Sequence, residues 1–350
     1  MSAPVLIAGG AGYIGAHACK ALAARGYKPV IFDNFSTGHR AFVRWGPVVE
    51  GDIRDAAAVG WAIREHGCEA VLHFAACAYV GESVSDPRKY FDNNVTGTLA
   101  VLDGMRAAGC NRLVFSSTCA IYGQPDTVPI SEDTRPNPIN PYGASKLMVE
   151  QILRDYRPAY GLRSIALRYF NACGADVDGE IGELRDPETH LIPRAMMALQ
   201  GHVRDFAVFG SDFPTPDGTA IRDYIHVSDL ADAHAGALDA LLGGHPGGAY
   251  NLGTGRGASV LEVLRMIERV TGEELPAVTG RRREGDPAAL VADPTLARRE
   301  LGFVPRSSDL ETIVGTAWAW HRRAHPRRPG DGRRGTAQEW SGRGACPDSE

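Results

Sequence analysis

The sequence predicts an α/β fold: a doubly wound parallel sheet with a smaller, mixed α/β C-terminal region beside it. Three observations predict it. Short apolar runs alternate with helix-like segments through the first half, a glycine cluster joins the first run to the first helical pattern, and the alternation gives way after about residue 170 to Gly-, Pro- and Asp-rich stretches. Strands covered on both faces read as continuous apolar runs, and right-handed crossovers then place helices on both sides of the sheet.

Residues 5–8 are the first apolar run, ended by Gly9-Gly10 and followed by an amphipathic stretch at 13–25. Further candidate buried strands lie at 29–32, 48–50, 70–74 and 112–115, with helical patterns at 56–66 and 90–108. Beyond residue 170, the segments 174–187 and 210–218 have the composition of long loops that could cover a ligand. A helical pattern at 228–242, a strand-like 249–252 and a helical 259–270 follow. The chain is thus expected to divide into a dinucleotide-binding region of the Rossmann type at 1–170 and a substrate-binding region at 171–325, partly interleaved with the first sheet. Residues 326–350 are rich in Gly, Pro, Arg and Ser, the composition of a disordered tail.

With 44% hydrophobic and 23% charged residues the composition is that of a soluble globular protein. A net charge of -5 gives no support to a nucleic-acid or anionic-membrane partner. The seven cysteines are odd in number and form no C-x-x-C pair, which favours reduced thiols over a disulfide framework or a zinc site; no metal is expected. The apolar run at 5–8 is too short for export or membrane spanning, so the cytoplasm is the expected compartment.

Gly9-Gly10-Ala11-Gly12-Tyr13-Ile14-Gly15 follows the first strand and opens the first helix. Without Cβ atoms the chain can turn tightly and bring backbone N–H groups up to a pyrophosphate at a helix N-terminus. Asp33 closes the second strand about 20 residues on, where a carboxylate accepts the adenosine ribose hydroxyls. It would repel the extra phosphate of NADP, and no arginine follows until Arg40, so the expected cofactor is NAD.

Tyr142-Gly143-Ala144-Ser145-Lys146 begins a helical stretch. Residues four apart share a helix face, so the phenol and the ammonium can meet one ligand. A nearby ammonium favours the phenolate and is expected to lower the Tyr142 pKa; a bound nicotinamide cation would act the same way. The chain has four lysines against 33 arginines, which makes a lysine here stand out. Just upstream, the strand at 112–115 ends in Ser116-Ser117-Thr118, a hydroxyl cluster at the strand end where such sheets bind ligands.

From about residue 4 to 325 the chain resembles the UDP-glucose 4-epimerases of the extended short-chain dehydrogenase/reductase superfamily. The likeness rests on AGGAGYIGAH (8–17), FDNFSTGHR (32–40), HFAACAYVGESV (73–84), FSSTCAIYG (115–123), PYGASKLMVEQIL (141–153), LRYFNACGAD (167–176), DGTAIRDYIHVSDLADAH (217–234) and RRREGD (281–286), among other stretches. It implies NAD contacts at Gly9, Gly12, Tyr13, Ile14, Gly15, Asp33, Asn34, Phe35, Ser36, Thr37, Gly38, Asp52, Ile53, Phe74, Ala75, Ala76, Asn93, Tyr142, Lys146 and Phe170. It implies UDP-sugar contacts at Thr118, Tyr142, Asn171, Leu191, Phe209, Arg222, Arg283 and Asp286, and a homodimer. Arginines at 222 and 283 suit a diphosphate, whose oxygens match a guanidinium fork.

The implied mechanism has Tyr142 taking the proton of the sugar 4-hydroxyl with Thr118 bridging, hydride passing from C4 to the nicotinamide, and return to the opposite face after the 4-keto intermediate turns. Thr118 stands where many relatives have serine, and keeps the hydroxyl. Relatives that eliminate the C6 hydroxyl carry Asp-Glu directly after the threonine; Cys119 and Ala120 stand here. A UDP-pentose substrate stays open. Leu290 stands where relatives place a tyrosine or a smaller residue that gates N-acetylated sugars, which leaves both sugar types open.

Overall fold

The computed structural model describes residues 3–283 and 285–326; the expectation of a disordered tail falls almost wholly outside the described residues, as does Cys346. Strands β1 (Pro4–Ala8), β2 (Lys28–Asp33), β3 (Val48–Glu50), β4 (Ala70–His73), β5 (Arg112–Ser116) and β6 (Arg163–Tyr169) lie in one parallel sheet. The next three, β7 (Asn171–Cys173), β8 (Ala207–Phe209) and β9 (Ile221–His226), lie outside it, and β10 (Gly248–Leu252) returns to pair parallel with β6. The order β10-β6-β5-β4-β1-β2-β3 reverses direction between β1 and β4. At that switch the flanking connections leave on opposite faces, opening a crevice at the carboxyl ends of the strands.

The first-half helices are α1 (Tyr13–Ala24), α2 (Ala56–His66), α3 (Val80–Ser85), α4 (Pro87–Tyr90), α5 (Gly97–Ala107) and α6 (Pro141–Tyr160). They are followed by α7 (Leu191–Leu199), α8 (Val227–Leu242), α9 (Val260–Thr271), α10 (Thr295–Leu301) and α11 (Leu310–Ala324). Alternate strand residues feed two separate cores. Ile7, Leu72, Val114 and Leu167 pack with Leu22 of α1 and Leu230 and Leu238 of α8. Leu6, Val71, Leu113 and Phe115 pack with Val59 of α2, Val101 of α5 and Val149 of α6. This two-sided burial is why the strands read as unbroken apolar runs.

A smaller sheet is built on β9, which pairs with β7, with β11 (Gly257–Ser259) and with β13 (Ala289–Leu290), while β12 (Val278–Gly280) pairs with β8. Cys173, Met196, Tyr224, Ile267 and Ile313 form its core with α7, α9 and α11. Among the described residues no disulfide forms, and Cys19, Cys68, Cys110, Cys119 and Cys173 are buried free thiols. No described helix is long and apolar enough to cross a membrane.

Local departures from the sequence expectations have physical causes. The helix expected over 90–108 is interrupted by a π-helical turn at Phe91–Thr96, which carries Asn94 into the interior. The strand expected over 70–74 ends at His73, because Phe74 N–H and Ala75 N–H both donate to the Ala8 carbonyl (2.8 and 2.9 Å) as the chain turns into the crevice. Strand β6 is not foreshadowed by an apolar run, since Arg163 and Arg168 interrupt it.

Candidate active site

The glycine bend fills the switch point. Gly9 has φ +82°, and a Cβ there would lie 2.5 Å from the Ala75 nitrogen, so the chains leaving β1 and β4 touch backbone to backbone. A Cβ on Gly15 would stand 2.1 Å from the Gly9 carbonyl oxygen. Gly12 is the N-cap of α1, no side chain caps the helix, and its first turn holds no acidic residue. The N–H groups of Tyr13 and Ile14 therefore have no intrahelical partner and carry the positive end of the helix dipole. Such a terminus fits a pyrophosphate. Gly15→Ala should disrupt the bend at a cost of about 1–3 kcal/mol of overpacking strain; the expected protein purifies without NAD and melts lower than the parent.

Asp33 is buried at the end of β2, and its two carboxylate oxygens accept from Ala11 N–H and Phe35 N–H, both at 2.9 Å. Burial pushes its pKa up against these bonds. The residue thus shapes the loop as well as facing the crevice, and each oxygen keeps a lone pair for a ribose hydroxyl. In the loop that follows, Asn34, Ser36 and Thr37 are exposed and Phe35 adopts φ 56°. Gly38 is held so close that a Cβ would lie 2.8 Å from Asp33 Oδ1. Asn34 Nδ2 donates to Asp52 (3.1 Å), whose carboxylate also takes the Arg54 guanidinium, and Ile53 is buried beside it. Phe74, Ala75 and Ala76 line the exit of β4, half-buried, with Phe74 against His234 at 4.6 Å between ring centroids. Asn93 donates to Asn94 (3.0 Å), and Phe170 is buried at the end of β6. The uncapped helix, the Cβ-free bend and the carboxylate at the end of β2 fit a dinucleotide.

Tyr142 and Lys146 both lie buried in the first turns of α6, after the N-cap Asn140 and Pro141. Lys146 Nζ donates to the Ser116 carbonyl (2.8 Å) and sits over the Phe115 ring at 4.7 Å. Burial pushes its ammonium down to about 7, while Cys77 and Glu150 pull the other way. The Tyr142 phenol is raised above its ordinary value by burial and by Tyr169, and the Thr118 hydroxyl bonded to it works in the opposite sense. The direction is the reverse of the lowering expected for Tyr142, because desolvation penalises the charged form of both groups. Thr118 is the N-cap of a short 3-10 turn at Cys119–Tyr122, with Ala120 N–H donating to its Oγ1 (3.1 Å).

The other proposed contacts gather on the smaller sheet. Asn171 pairs in register with Tyr224, and Arg222 with Leu290. The Arg222 guanidinium donates to Asp286 at 2.5 Å. Arg283 is exposed and lies over the Phe209 ring at 4.3 Å, while Leu191 opens α7 against the same core. Leu290 packs on the cluster of Cys119, Tyr122 and Phe170, which ties this sheet to the Thr118 turn.

Three features of the site involve residues to which the sequence reading gave no role. Asn94 bonds the Cys77 backbone on both sides and donates to Ser145 Oγ (3.0 Å), fastening the crevice wall to α6. Glu150, one turn beyond Lys146, accepts from Ser117 Oγ at 2.6 Å and pairs with Arg168 at 2.6 Å, all buried. Arg185 reaches toward Tyr79 from the long loop before α7. The available signal was a carboxylate four residues from a lysine (Glu150).

Residues 5–253 match the NAD dependent epimerase/dehydratase family. The chain belongs to that family. This NAD dependent epimerase/dehydratase is 55% identical over 321 residues to a UDP-glucose 4-epimerase of Rhizobium leguminosarum bv. trifolii, covering 92% of this chain and 98% of that one. Among solved structures it superposes on the UDP-glucose 4-epimerase of Brucella ovis in complex with NAD, with TM-score 0.89 and 55% identity over 91% of this chain and 98% of that one. It also superposes on the enzyme of Stenotrophomonas maltophila with bound NAD and formylated UDP-arabinopyranose, with TM-score 0.89 and 41% identity over 92% and 98% of the two chains. The family member is therefore of the doubly wound α/β type and takes NAD.

Proposed function

We propose that this protein is a UDP-glucose 4-epimerase, interconverting UDP-galactose and UDP-glucose in the cytoplasm as a homodimer and supplying nucleotide sugars for galactose metabolism. In this reading residues 1–170 hold NAD and 171–325 the UDP-sugar. Bound NAD supplies the hydride acceptor at C4 of the sugar and the donor for its return, so that it leaves each turnover unchanged. Tyr142, as phenolate, takes the proton of the 4-hydroxyl, with the Thr118 hydroxyl bridging the two oxygens. Lys146, held on the Ser116 carbonyl, stands one turn from Tyr142 on the same helix face. Arg222 and Arg283 take the diphosphate, and Asp286 fixes the Arg222 fork.

The observation that carries the reading is the hydroxyl pair Tyr142–Thr118 at the crevice with Cys119 and Ala120 beside it, where an elimination would need an acid–base pair. The Cys119 thiol is raised by burial, up to about 12, which leaves it neutral and unfit for that work. The test is direct. Purified protein given UDP-galactose without added NAD should yield UDP-glucose, because the cofactor stays bound. No conversion by protein shown to contain NAD would refute the proposal.

A further inference from the structure

Two further charges, Glu50 and Arg40, stand beside Asp33 at the end of β2. Glu50 closes β3 in register with Asp33, and Gly51 N–H donates to the Asp33 carbonyl (3.1 Å). Residues in register on neighbouring strands lie about 4.8 Å apart, with their side chains on one face of the sheet. The Asp33 and Glu50 carboxylates therefore leave the sheet side by side. Arg40 reaches the same place by another route. Ala11 N–H donates to Asp33 (2.9 Å), and the Ala11 carbonyl accepts from His39 N–H (2.9 Å). The residue before Arg40 is thus bonded to the residue that anchors the Asp33 carboxylate, and Arg40 then opens a short 3-10 turn at Arg40–Phe42.

The Arg40 guanidinium is held there twice. Nη2 donates to Glu50 Oε2 at 2.6 Å, and the guanidinium carbon stands 4.1 Å from the centroid of the Phe35 ring. Phe35 N–H donates in turn to Asp33 Oδ1 (2.9 Å), which keeps that residue beside the carboxylate. The Arg40 and Glu50 side chains are 65% and 58% exposed, and an ion pair so open to solvent adds little to stability. Its place matters more than its strength. In sheets of this type a carboxylate at the end of the second strand takes the ribose 2′-hydroxyl of NAD, whereas a nearby arginine accommodates the 2′-phosphate of NADP. This chain has both residues, and a second carboxylate sits on the arginine.

We propose that Glu50 is a specificity-determining residue for the cofactor: by pairing with Arg40 it withholds the loop's guanidinium from a 2′-phosphate, and so favours NAD over NADP. This rests on the placing of Asp33 at the adenosine ribose. Discrimination then has two layers. Asp33 repels a phosphate at the 2′ position itself. Glu50 occupies the guanidinium fork that phosphate oxygens would otherwise take, and presents a neutral pair where an NADP site presents a free cation. The neighbouring cation is engaged as well, since Arg44 pairs with Glu180 at 2.9 Å. His39, next to Arg40, directs its ring away from the strand ends, with Nε2 2.8 Å from the Leu184 carbonyl.

The test measures which nucleotide each protein holds. Wild type, Glu50→Gln and the double variant Glu50→Gln with Arg40→Met are equilibrated with equimolar NAD and NADP, exchange being followed with isotopically labelled NAD. The nucleotides released on denaturation are then quantified. Glu50→Gln should raise the ratio of NADP to NAD by about tenfold, the effect of one charge-assisted contact to phosphate. The gain should shrink as salt is raised. The double variant has the same net charge as the wild type and no guanidinium at 40, so its ratio should return to the wild-type value. An unchanged ratio for Glu50→Gln overturns the inference. A gain that survives in the double variant overturns it too, because Arg40 would then have no part in it. Both side chains are more than half exposed, so the substitutions should leave the fold intact. The nucleotide that copurifies with each protein gives the same comparison without exchange. Bound nucleotide is measured rather than turnover, which keeps a failure here distinct from a failure of the epimerase reading.

Discussion

Tyr142→Phe is expected to fold, to retain NAD and to lose about a thousandfold in kcat, the middle of the range for a positioned general base. The ring is buried and packs edge-on against Tyr90, so phenylalanine keeps the volume and the contact while removing the one atom that accepts the proton. The partner left behind is the Thr118 hydroxyl, which already accepts from Ala120 N–H, so little buried polarity is orphaned and stability should change by under about 1 kcal/mol. The measurement is turnover on UDP-galactose together with the NAD released on denaturation. A folded, NAD-bearing Tyr142→Phe that turns over within tenfold of the parent would remove Tyr142 from the chemistry. Thr118 or a water held by it would then be the candidate base.

The same pair of residues shows how far a sequence carries. The Gly9–Gly15 bend, the Asp33 carboxylate and the Tyr142–Lys146 spacing are local features, each interpretable because the neighbouring strand and helix set its geometry. Five of the seven sheet strands followed from the alternation in the first half; β6 did not, because Arg168 breaks the apolar run to meet a carboxylate on α6, and β10 was read as part of the smaller C-terminal region. Spacing placed the Tyr142 phenol and the Lys146 ammonium on one helix face, yet could not show how deeply both are desolvated. The electrostatic expectation for Tyr142 therefore had the wrong sign. Arg185 was illegible for a related reason. Tyr79, the ring it lies over, is about a hundred residues away along the chain, and only the fold brings the two together.

The Glu150–Arg168 pair should show the largest effect on stability. Glu150→Ala is expected to cost about 3–5 kcal/mol, read as a lower urea midpoint, because it strands a buried guanidinium without its carboxylate. The side chains are 5% and 10% exposed, so solvent cannot take over the charge. Arg168 keeps only the Tyr122 hydroxyl (2.8 Å), and Ser117 loses its acceptor. Glu150→Leu combined with Arg168→Met removes both charges at similar volume, and should recover most of that loss. Activity should not recover with it. Ser117 adjoins Thr118 and follows Ser116, whose carbonyl holds Lys146, so freeing the Ser117 hydroxyl loosens the strand end that orders both groups. Glu150 also raises the Lys146 pKa; without it the ammonium, already pushed down to about 7 by burial, is more often neutral at pH 7. A double variant as stable as the parent but slower would separate the pair's work in ordering the site from its cost to the fold. A double variant restored in both would make the pair a matter of packing alone.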